Sequence, residues 1–287
     1  MKVRKAVIPA VWWGGRFAPI TKSQPKEMLP LLNRPLIQYA VEEALAAGLN
    51  EVIIVIPPGK QVIADYFEPA PAFAAFLQRC GEHKMVQEVR RVEALAVNIR
   101  FLTQAEPRGL GQALLTAQEL VGDEPFAVIL PDDVVDARES ALAQMLPVFE
   151  RYEASVIAVD AIDTRDAHKY GVIRPEKLSE RVYRVQQLVE KPDLEFSPSR
   201  LGIVGRYILT PQVFEAIRRA EADASGEIQL SDALSLLLAR QAIYAVEFEG
   251  ERYDCSSPLG WTMAQVAFGL KHPEFGDKLR EQLRRMV

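Results

Sequence analysis

Short apolar runs alternate with a helix-like segment in the first part of the chain. Ala6–Ala10 and Val52–Ile56 are apolar runs of strand length, and the second is typical of a strand buried on both faces of a parallel sheet. Between them, Leu36–Leu49 carries apolar side chains at helical spacing, follows Pro35 and contains Gly48 as a stop. This order of strand, loop, helix and strand predicts an α/β fold.

The later segments extend the same organisation. Residues 61–95 are mostly helical in pattern, and residues 97–102 and 126–130 are strand-like. The second half is richer in strand-like sequence, and the tail at 259–287 is predicted to be one long amphipathic helix packed on the domain or on a second subunit. Because no internal repeat or Gly/Ser linker divides the chain, we expect a single domain, 1–287.

Composition narrows the class of protein. About half of the 287 residues are apolar, which is enough for a substantial core. The net charge of −5 and the pI near 5.5 argue against a nucleic acid or a membrane surface as a partner. Pro9 interrupts the first apolar run, so this segment predicts neither a signal peptide nor a membrane span. Since Cys80 and Cys255 form no C-x-x-C pair, we expect a soluble protein of the reducing cytoplasm.

The loop after the first strand has the composition of a phosphate site. Gly14 and Gly15 allow backbone N–H groups to approach an anion, and Arg16, Lys22 and Lys26 supply charged donors. The loop matches neither the Walker pattern nor the dinucleotide G-x-G-x-x-G pattern. It therefore predicts anion binding by local charge in an otherwise acidic chain.

Two other loops follow predicted strands. Gln104 precedes Gly109 by five residues at the start of a helix, a pattern that an ordinary β–α turn also explains. Asp132 and Asp133 follow the strand at 126–130, at the position where α/β folds place ligand and metal chemistry, although acidic turns are frequent. Taken with the first loop, both favour a binding site at one edge of the sheet.

Several separated motifs carry a resemblance to a known family. The segments QPKEMLP (24–30) and PLIQYAVEEALAAG (35–48) are similar to the N-terminal signature of the bacterial UTP–glucose-1-phosphate uridylyltransferases, a branch of the sugar-1-phosphate nucleotidylyltransferases. Gly226–Leu230 and Tyr253–Trp261 resemble later family motifs. The resemblance implies a Rossmann-like three-layer α/β nucleotidyltransferase fold with a mixed, mainly parallel central sheet.

The resemblance also implies an activity and an organisation. The expected reaction is Mg²⁺-dependent transfer of a uridylyl group from UTP to glucose 1-phosphate, which gives UDP-glucose and pyrophosphate. The nucleotide-binding half is expected at about 1–135 and the sugar-binding half at about 136–255, ahead of the helical tail. A homodimer or homotetramer is expected.

The resemblance assigns roles to individual residues. Arg16 and Lys26 are expected to be catalytic by neutralising the leaving pyrophosphate, and Asp132 and Asp254 to bind Mg²⁺, with Asp133 as an outward neighbour. The expected nucleotide-binding residues are Ala10, Val11, Gly14, Gly15, Glu27, Gln104, Gly109 and Asp132. The expected sugar-phosphate-binding residues are Gly171, which lets the hexose approach, Glu190, which accepts from its hydroxyls, and Lys191, which holds the phosphate.

Four of the chain's departures from the family pattern bear on the expected site. Trp12 replaces a glycine of the pattern A-G-x-G-T-R, Gly15 replaces its threonine, Ser256 replaces a later glycine and Pro258 a lysine. Trp12 and its neighbour Trp13 are compatible with a stacking platform for a base or with core packing. A non-catalytic paralogue that associates with an active homologue, or the same chemistry with another base or sugar, are the alternatives. The chain keeps the five charged residues that the expected phosphoryl transfer requires, and this favours an active enzyme over a non-catalytic paralogue. They are Arg16, Lys26, Asp132, Lys191 and Asp254.

Overall fold

The computed structural model describes residues 1–106 and 108–286. Its strands are β1 (Lys5–Pro9), β2 (Pro30–Leu31), β3 (Arg34–Pro35), β4 (Glu51–Ile56), β5 (Ile99–Thr103), β6 (Phe126–Ile129), β7 (Asp133–Asp136), β8 (Val156–Ala161), β9 (Gly171–Lys177), β10 (Val182–Glu190), β11 (Leu201–Leu209), β12 (Tyr244–Glu247) and β13 (Glu251–Asp254). Its helices are α1 (Leu36–Ala46), α2 (Val62–Phe67), α3 (Pro71–Arg79), α4 (His83–Leu95), α5 (Gly109–Val121), α6 (Ala141–Tyr152), α7 (Val213–Arg219), α8 (Leu230–Leu238), α9 (Pro258–Lys271) and α10 (Gly276–Met286).

Nine strands form one mixed sheet in the order β5-β4-β1-β6-β11-β8-β12-β10-β9. The four strands of the first half run parallel, because each is connected to the next through at least one helix. Their carboxyl ends therefore lie at one edge of the sheet, and the loops that follow β1, β4, β5 and β6 meet there.

The prediction of a mainly parallel sheet was wrong. Five of the nine strand pairings are antiparallel, since β11 runs against β6 and β8, β10 runs against β9 and β12, and β9 also pairs with β11 through Val172 and Gly202. That last pairing closes the second half of the sheet on itself. The turn at 178–181 between β9 and β10 is too short for a parallel crossover. A buried apolar run such as that of β11 predicts a strand but not its direction.

Helices cover both faces of this sheet, and alternate residues of β1 show how the core divides. Val7 packs in a buried cluster with α5, α7 and α8, whereas Ala6 and Ile8 pack in a second cluster with α1 and α6. All three side chains are fully buried. The core thus holds the strand ends of the first half rigidly beneath their loops.

The C-terminal tail differs from the single long helix that was predicted. It consists of α9 and α10, and it breaks where Pro273 follows His272, because proline cannot continue a helix. The Trp261 Nε1–H of α9 donates to the Pro30 carbonyl at 3.0 Å, and its ring meets Phe17 edge to face at 6.4 Å between centroids. The tail therefore braces the first loop of its own chain. Within the described ranges, no helix is long and apolar enough to cross a membrane.

Candidate active site

Gly14 is the residue that the turn after β1 requires. Its φ is +68°, in the left-handed region, and a Cβ there would lie 2.9 Å from Lys26 Cβ. The Thr21 hydroxyl donates to the Gly14 carbonyl at 3.0 Å and closes the turn. Gly15 is different, because a Cβ there would meet no atom within 4 Å. The loss of the family threonine at Gly15 consequently disturbs no packing.

Lys26 lies beneath this turn with its ammonium paired to Asp132. The Nζ donates to Asp132 Oδ2 and lies 5.3 Å from the centroid of the Trp12 ring. Burial alone would lower the pKa of Lys26, but the nearby charges of Asp132 and Glu27 outweigh it and raise the pKa above its ordinary value. Lys26 therefore stays a cation in a site that is largely closed to solvent.

The two other departures from the family pattern are accommodated beside Arg16. The exposed Arg16 donates from Nη1 to the hydroxyl of Ser256 at 3.1 Å, so the serine holds the guanidinium at the rim of the site. Pro258 occupies the first turn of α9, where a missing N–H breaks no helical hydrogen bond. The Ser257 hydroxyl caps that helix by accepting from the Gly260 N–H at 3.2 Å.

Lys60, which the sequence analysis missed, joins three segments behind the loop. Its Nζ donates to the Ala10 carbonyl at 2.9 Å, to the Trp12 carbonyl at 2.6 Å and to Glu27 Oε2 at 2.8 Å. Lys60 is 3% exposed and Glu27 is fully buried. Burial raises the pKa of Glu27 and lowers the pKa of Lys60, against the mutual attraction of the pair. The sequence pattern that could have indicated Lys60 is a lysine that follows Pro-Pro-Gly directly after the buried strand β4.

Three aspartates converge at the edge of the sheet. Asp132 and Asp254 both line the same cavity, as predicted for residues that would share a metal ion. The predicted outward orientation of Asp133 was wrong, because this residue is 8% exposed. Its carboxylate accepts from Arg252 Nε at 2.5 Å and from the Gly205 N–H at 2.9 Å. A buried arginine thus neutralises the middle carboxylate, which sequence proximity to Asp132 did not reveal.

The donor set at Asp132 and Asp254 fits Mg²⁺. Asp254 accepts from the Tyr170 hydroxyl at 3.1 Å and from the Ser256 N–H at 3.0 Å, which orient it without placing a cation on it. Burial would raise the pKa of Asp254, but the hydrogen bonds from Ser256 and the charge of Arg252 lower it below its ordinary value. The described residues contain no group of three acidic, histidine or cysteine ligands. Mg²⁺ commonly uses one or two carboxylates and completes its shell with substrate phosphates and water.

The predicted sugar-binding residues lie together on β9 and β10. Gly171 and Glu190 are partners in the antiparallel ladder, and a Cβ on Gly171 would lie 3.2 Å from Glu190 Oε2. Lys191 has a φ of +43°, which is uncommon for a residue with a side chain and is typical of functional sites. Its N–H donates to the Tyr170 carbonyl at 3.0 Å and its Nζ lies 3.1 Å from Glu190 Oε1. The turn therefore directs a cation to the wall of the cleft.

The remaining predicted nucleotide-binding residues divide into two groups. Val11 and Gly109 line the cleft, and Gly109 has a φ of +81° with Glu227 and Ile228 packed against it. Ala10, Glu27 and Gln104 are buried and line neither cavity described below. Gln104 Nε2 donates to the Glu106 carbonyl at 2.8 Å, while its buried Oε1 has no hydrogen-bond partner among the described residues.

Two adjoining cavities make up the cleft. The loop cavity, of about 550 Å³, is lined by Val11, Gly14, Gly15 and Gly109, and the sheet cavity, of about 250 Å³, is lined by Gly171, Glu190 and Asp254. Both share walls formed by Trp12, Arg16, Asp132, Lys169 and Lys191.

The loop cavity collects positive charge in an acidic chain. Four basic side chains line it, and only two acidic ones, Asp132 and Glu227, do so; the basic ones are Arg16, Lys26, Lys169 and Lys191. Lys169 was not predicted as a site residue, and its ammonium pairs with Asp166 at 2.7 Å. The charge balance and the two-part shape suit two phosphorylated molecules bound side by side.

The comparisons with known proteins agree with this geometry. The nucleotidyl transferase family model matches residues 5–262. The UTP–glucose-1-phosphate uridylyltransferase of Staphylococcus epidermidis is 41% identical over 285 residues, which are 99% of this chain and 99% of that protein.

Two solved structures match along nearly the whole chain. A UDP-glucose pyrophosphorylase complexed with UDP-glucose superposes with a TM-score of 0.86 at 39% identity and covers 94% of this chain and 100% of that one. The UTP-bound UGPase of Acinetobacter baumannii superposes with a TM-score of 0.91 at 31% identity and covers both chains fully. The chain therefore belongs to the nucleotidyl transferase family, among the bacterial UTP–glucose-1-phosphate uridylyltransferases.

Proposed function

We propose that this protein transfers the uridylyl group of UTP to glucose 1-phosphate and releases pyrophosphate. The observation that carries the proposal is a single cleft in which Arg16, Lys26 and Lys191 face the carboxylates of Asp132 and Asp254. The relatives named above bear this activity in their names, and one holds UDP-glucose while another is UTP-bound.

UTP would occupy the loop cavity. Gly15 leaves its backbone open to the triphosphate, while Gly14 and Gly109 line the same cavity, and the base would lie near Gly109 at the start of α5. Arg16 and Lys26 would bind the phosphates that depart as pyrophosphate, since both cations lie on the cavity wall. Ala10, Val11, Glu27 and Gln104 would shape the base site, three of them from behind the loop as the buried residues described above.

Glucose 1-phosphate would occupy the sheet cavity. The missing side chain of Gly171 lets the hexose approach the strand, and Glu190 would accept hydrogen bonds from its hydroxyls. The Lys191 ammonium is half exposed and lines both cavities, so it can exchange its contact with Glu190 for the sugar phosphate. The nucleophilic phosphate would then lie at the junction of the two cavities.

Asp132 and Asp254 are the residues that would hold Mg²⁺. When bound, the ion would supply positive charge that reduces the repulsion between the two phosphate groups. The protein's own part is to orient the two carboxylates, which it does at Asp254 with Tyr170 and the Ser256 N–H. The adjacent Asp133 is less available for this role, because Arg252 holds both of its carboxylate oxygens, whereas Lys26 contacts one oxygen of Asp132.

The reaction needs positioning more than side-chain chemistry. An oxygen of the sugar phosphate attacks the α-phosphorus, the bond to the bridging oxygen breaks, and pyrophosphate leaves with the electron pair. The nucleophile is already ionised at neutral pH, so neither a covalent intermediate nor a general base is required. Lys191 would hold the attacking phosphate, while Arg16 and Lys26 stabilise the charge that develops on the leaving group.

Trp12 was the main argument for a non-catalytic paralogue, and its position favours the enzyme instead. The partly buried ring packs at the edge of the core and forms the wall between two open cavities. Trp13 is 59% exposed at the rim of the loop cavity. We further propose that the chain works as one domain in a cytoplasmic homodimer or homotetramer bound to Mg²⁺, with the exposed apolar Leu259 and Met263 of α9 as candidate subunit contacts.

The proposal is tested by pyrophosphate release from UTP, glucose 1-phosphate and Mg²⁺. We expect turnover that depends on both substrates and that Asp132→Ala lowers by about 10²-fold or more, as loss of a transition-state contact does. Asp136→Ala is the matched control, because Asp136 ends β7, the strand that directly follows Asp132, and pairs with Lys271 outside the cleft. No release with UTP, but release with another nucleotide or sugar phosphate, would reassign the substrate. Inertness with every pair would favour the non-catalytic paralogue.

A further inference from the structure

A buried lysine behind the nucleotide loop has no role in the chemistry described so far. Lys60 follows β4, and its ammonium reaches two segments that lie 33 or more positions earlier in the chain, the loop at 10–12 and Glu27. We propose that Lys60 is a positioning residue that holds the loop at 10–14 in the conformation that binds UTP. The inference rests on the proposed function, because it concerns the nucleotide side of the same cleft.

The geometry uses the full capacity of the side chain. A lysine ammonium carries three N–H donors, and the three contacts to Ala10, Trp12 and Glu27 account for all of them. Two of the acceptors are main-chain carbonyls on either side of Val11, so the contacts fix the backbone where β1 becomes the loop. Glu27 supplies the counter-charge without which a buried ammonium would be strongly unfavourable.

Lys60 acts on UTP only through the loop. It is 3% exposed and does not line the loop cavity or the sheet cavity. Its partners, however, adjoin the catalytic lysine from two directions. Glu27 follows Lys26 in the chain, and the Trp12 ring lies 5.3 Å from the Lys26 ammonium. The buried contacts of Lys60 therefore link the orientation of the loop to the segment that carries Lys26.

Lys5, at the start of β1, offers a matched control, because the loop that Lys60 contacts follows the other end of β1. The Lys5 ammonium also donates to two main-chain carbonyls, those of Leu120 at 2.9 Å and Val121 at 3.0 Å. Those contacts join β1 to the end of α5, away from the cleft. Loss of Lys5 therefore removes comparable hydrogen bonds without touching the nucleotide loop.

The test compares Lys60→Met, Glu27→Gln, the double variant and Lys5→Met. Methionine keeps the apolar stem and removes the donors, and the double variant avoids leaving an isolated buried carboxylate. We measure KM for each substrate, the UTP-induced rise in melting temperature, and hydrogen exchange of the amides at 10–17. In Lys60→Met we expect KM for UTP to rise about tenfold or more, as loss of charged hydrogen bonds predicts, with KM for glucose 1-phosphate changed by less than about twofold.

Hydrogen exchange at 10–17 should quicken in Lys60→Met and in the double variant but not in Lys5→Met. The inference is overturned if Lys60→Met changes both KM values equally, if Lys5→Met raises KM for UTP as much as Lys60→Met does, or if the loop amides exchange at the wild-type rate. It is also overturned if neither Lys60 variant folds, since Lys60 would then be needed for folding and not for positioning. A wild-type protein without turnover would sink the proposed function alone, because UTP binding and loop exchange still test Lys60.

Discussion

Gly171→Ala tests the assignment of the sugar site with the smallest possible change. The new Cβ would lie 3.1 Å from Ile203 Cδ1 and 3.2 Å from Glu190 Oε2. Both atoms end flexible side chains and can give way by a few tenths of an ångström. The backbone at Gly171 is an ordinary strand, so alanine introduces no left-handed strain. We therefore expect stability to change by less than about 1 kcal/mol.

The effect on sugar binding should be much larger. The methyl group would stand beside the Glu190 carboxylate, on the wall of the cavity that the hexose is proposed to occupy. Loss of one hydrogen bond from a sugar hydroxyl to that carboxylate is worth about 1.5–3 kcal/mol. This corresponds to a rise in KM for glucose 1-phosphate of roughly 10- to 150-fold. KM for UTP should stay near the wild-type value, because the loop cavity is unchanged.

Steady-state pyrophosphate release with each substrate varied in turn gives both constants. Gly15→Ala is the control, since it adds the same methyl group to the loop cavity where no atom lies within 4 Å. That variant should keep KM for glucose 1-phosphate within about twofold of wild type, and any change should appear in KM for UTP, because Gly15 lines the proposed triphosphate site. A Gly171→Ala enzyme with an unchanged KM for glucose 1-phosphate, or with both constants raised equally, would refute the placement of the sugar beside Glu190.

Two further predictions concern the partly buried Arg252, which lines the sheet cavity, and the partly buried Tyr66. Arg252→Leu leaves the Asp133 carboxylate buried without its cation. We expect this change to lower the free energy of unfolding, measured by urea titration, by about 3–5 kcal/mol. A loss under about 1 kcal/mol would show that the fold does not need the ion pair. Burial raises the pKa of Tyr66 to about 12, whereas the pKa of this phenol in the unfolded chain is 10.0. The contribution of Tyr66 to the free energy of unfolding is therefore complete below pH 10.0 and is lost as the pH rises from 10.0 towards 12. Tyr66→Phe should remove part of the late phenolate absorbance, and an unchanged titration curve would contradict the assignment.

The parts of the structure that were predicted correctly depend on local pattern. The helix at Leu36–Ala46 and the strand at Glu51–Ile56 lie where apolar spacing placed them, to within a few residues. The loop at Gly14 and the aspartate at 132 follow strands whose carboxyl ends share one edge of the sheet. Local sequence is sufficient there, because each site residue is positioned by the strand directly before it.

The features that were missed depend on contacts between distant segments. Lys60 pairs with Glu27 and Asp133 pairs with Arg252 across 33 and 119 positions of the chain, so neither neighbourhood predicts the other. The antiparallel pairing of β11 with β6 and β8 depends on contacts with distant strands, which its buried and mostly apolar sequence does not encode. The break in the tail at Pro273 was visible in the sequence and should have limited the predicted helix.

The measurement that tests the account most directly is pyrophosphate release from the wild-type protein with Mg²⁺ and UTP alone, glucose 1-phosphate alone, or both. The two-cavity cleft predicts release only when both substrates are present, with one UDP-glucose formed for each pyrophosphate. No release from the complete mixture would contradict the proposed activity. A stoichiometric burst from UTP alone would contradict direct attack by the sugar phosphate, because it would require a uridylylated protein.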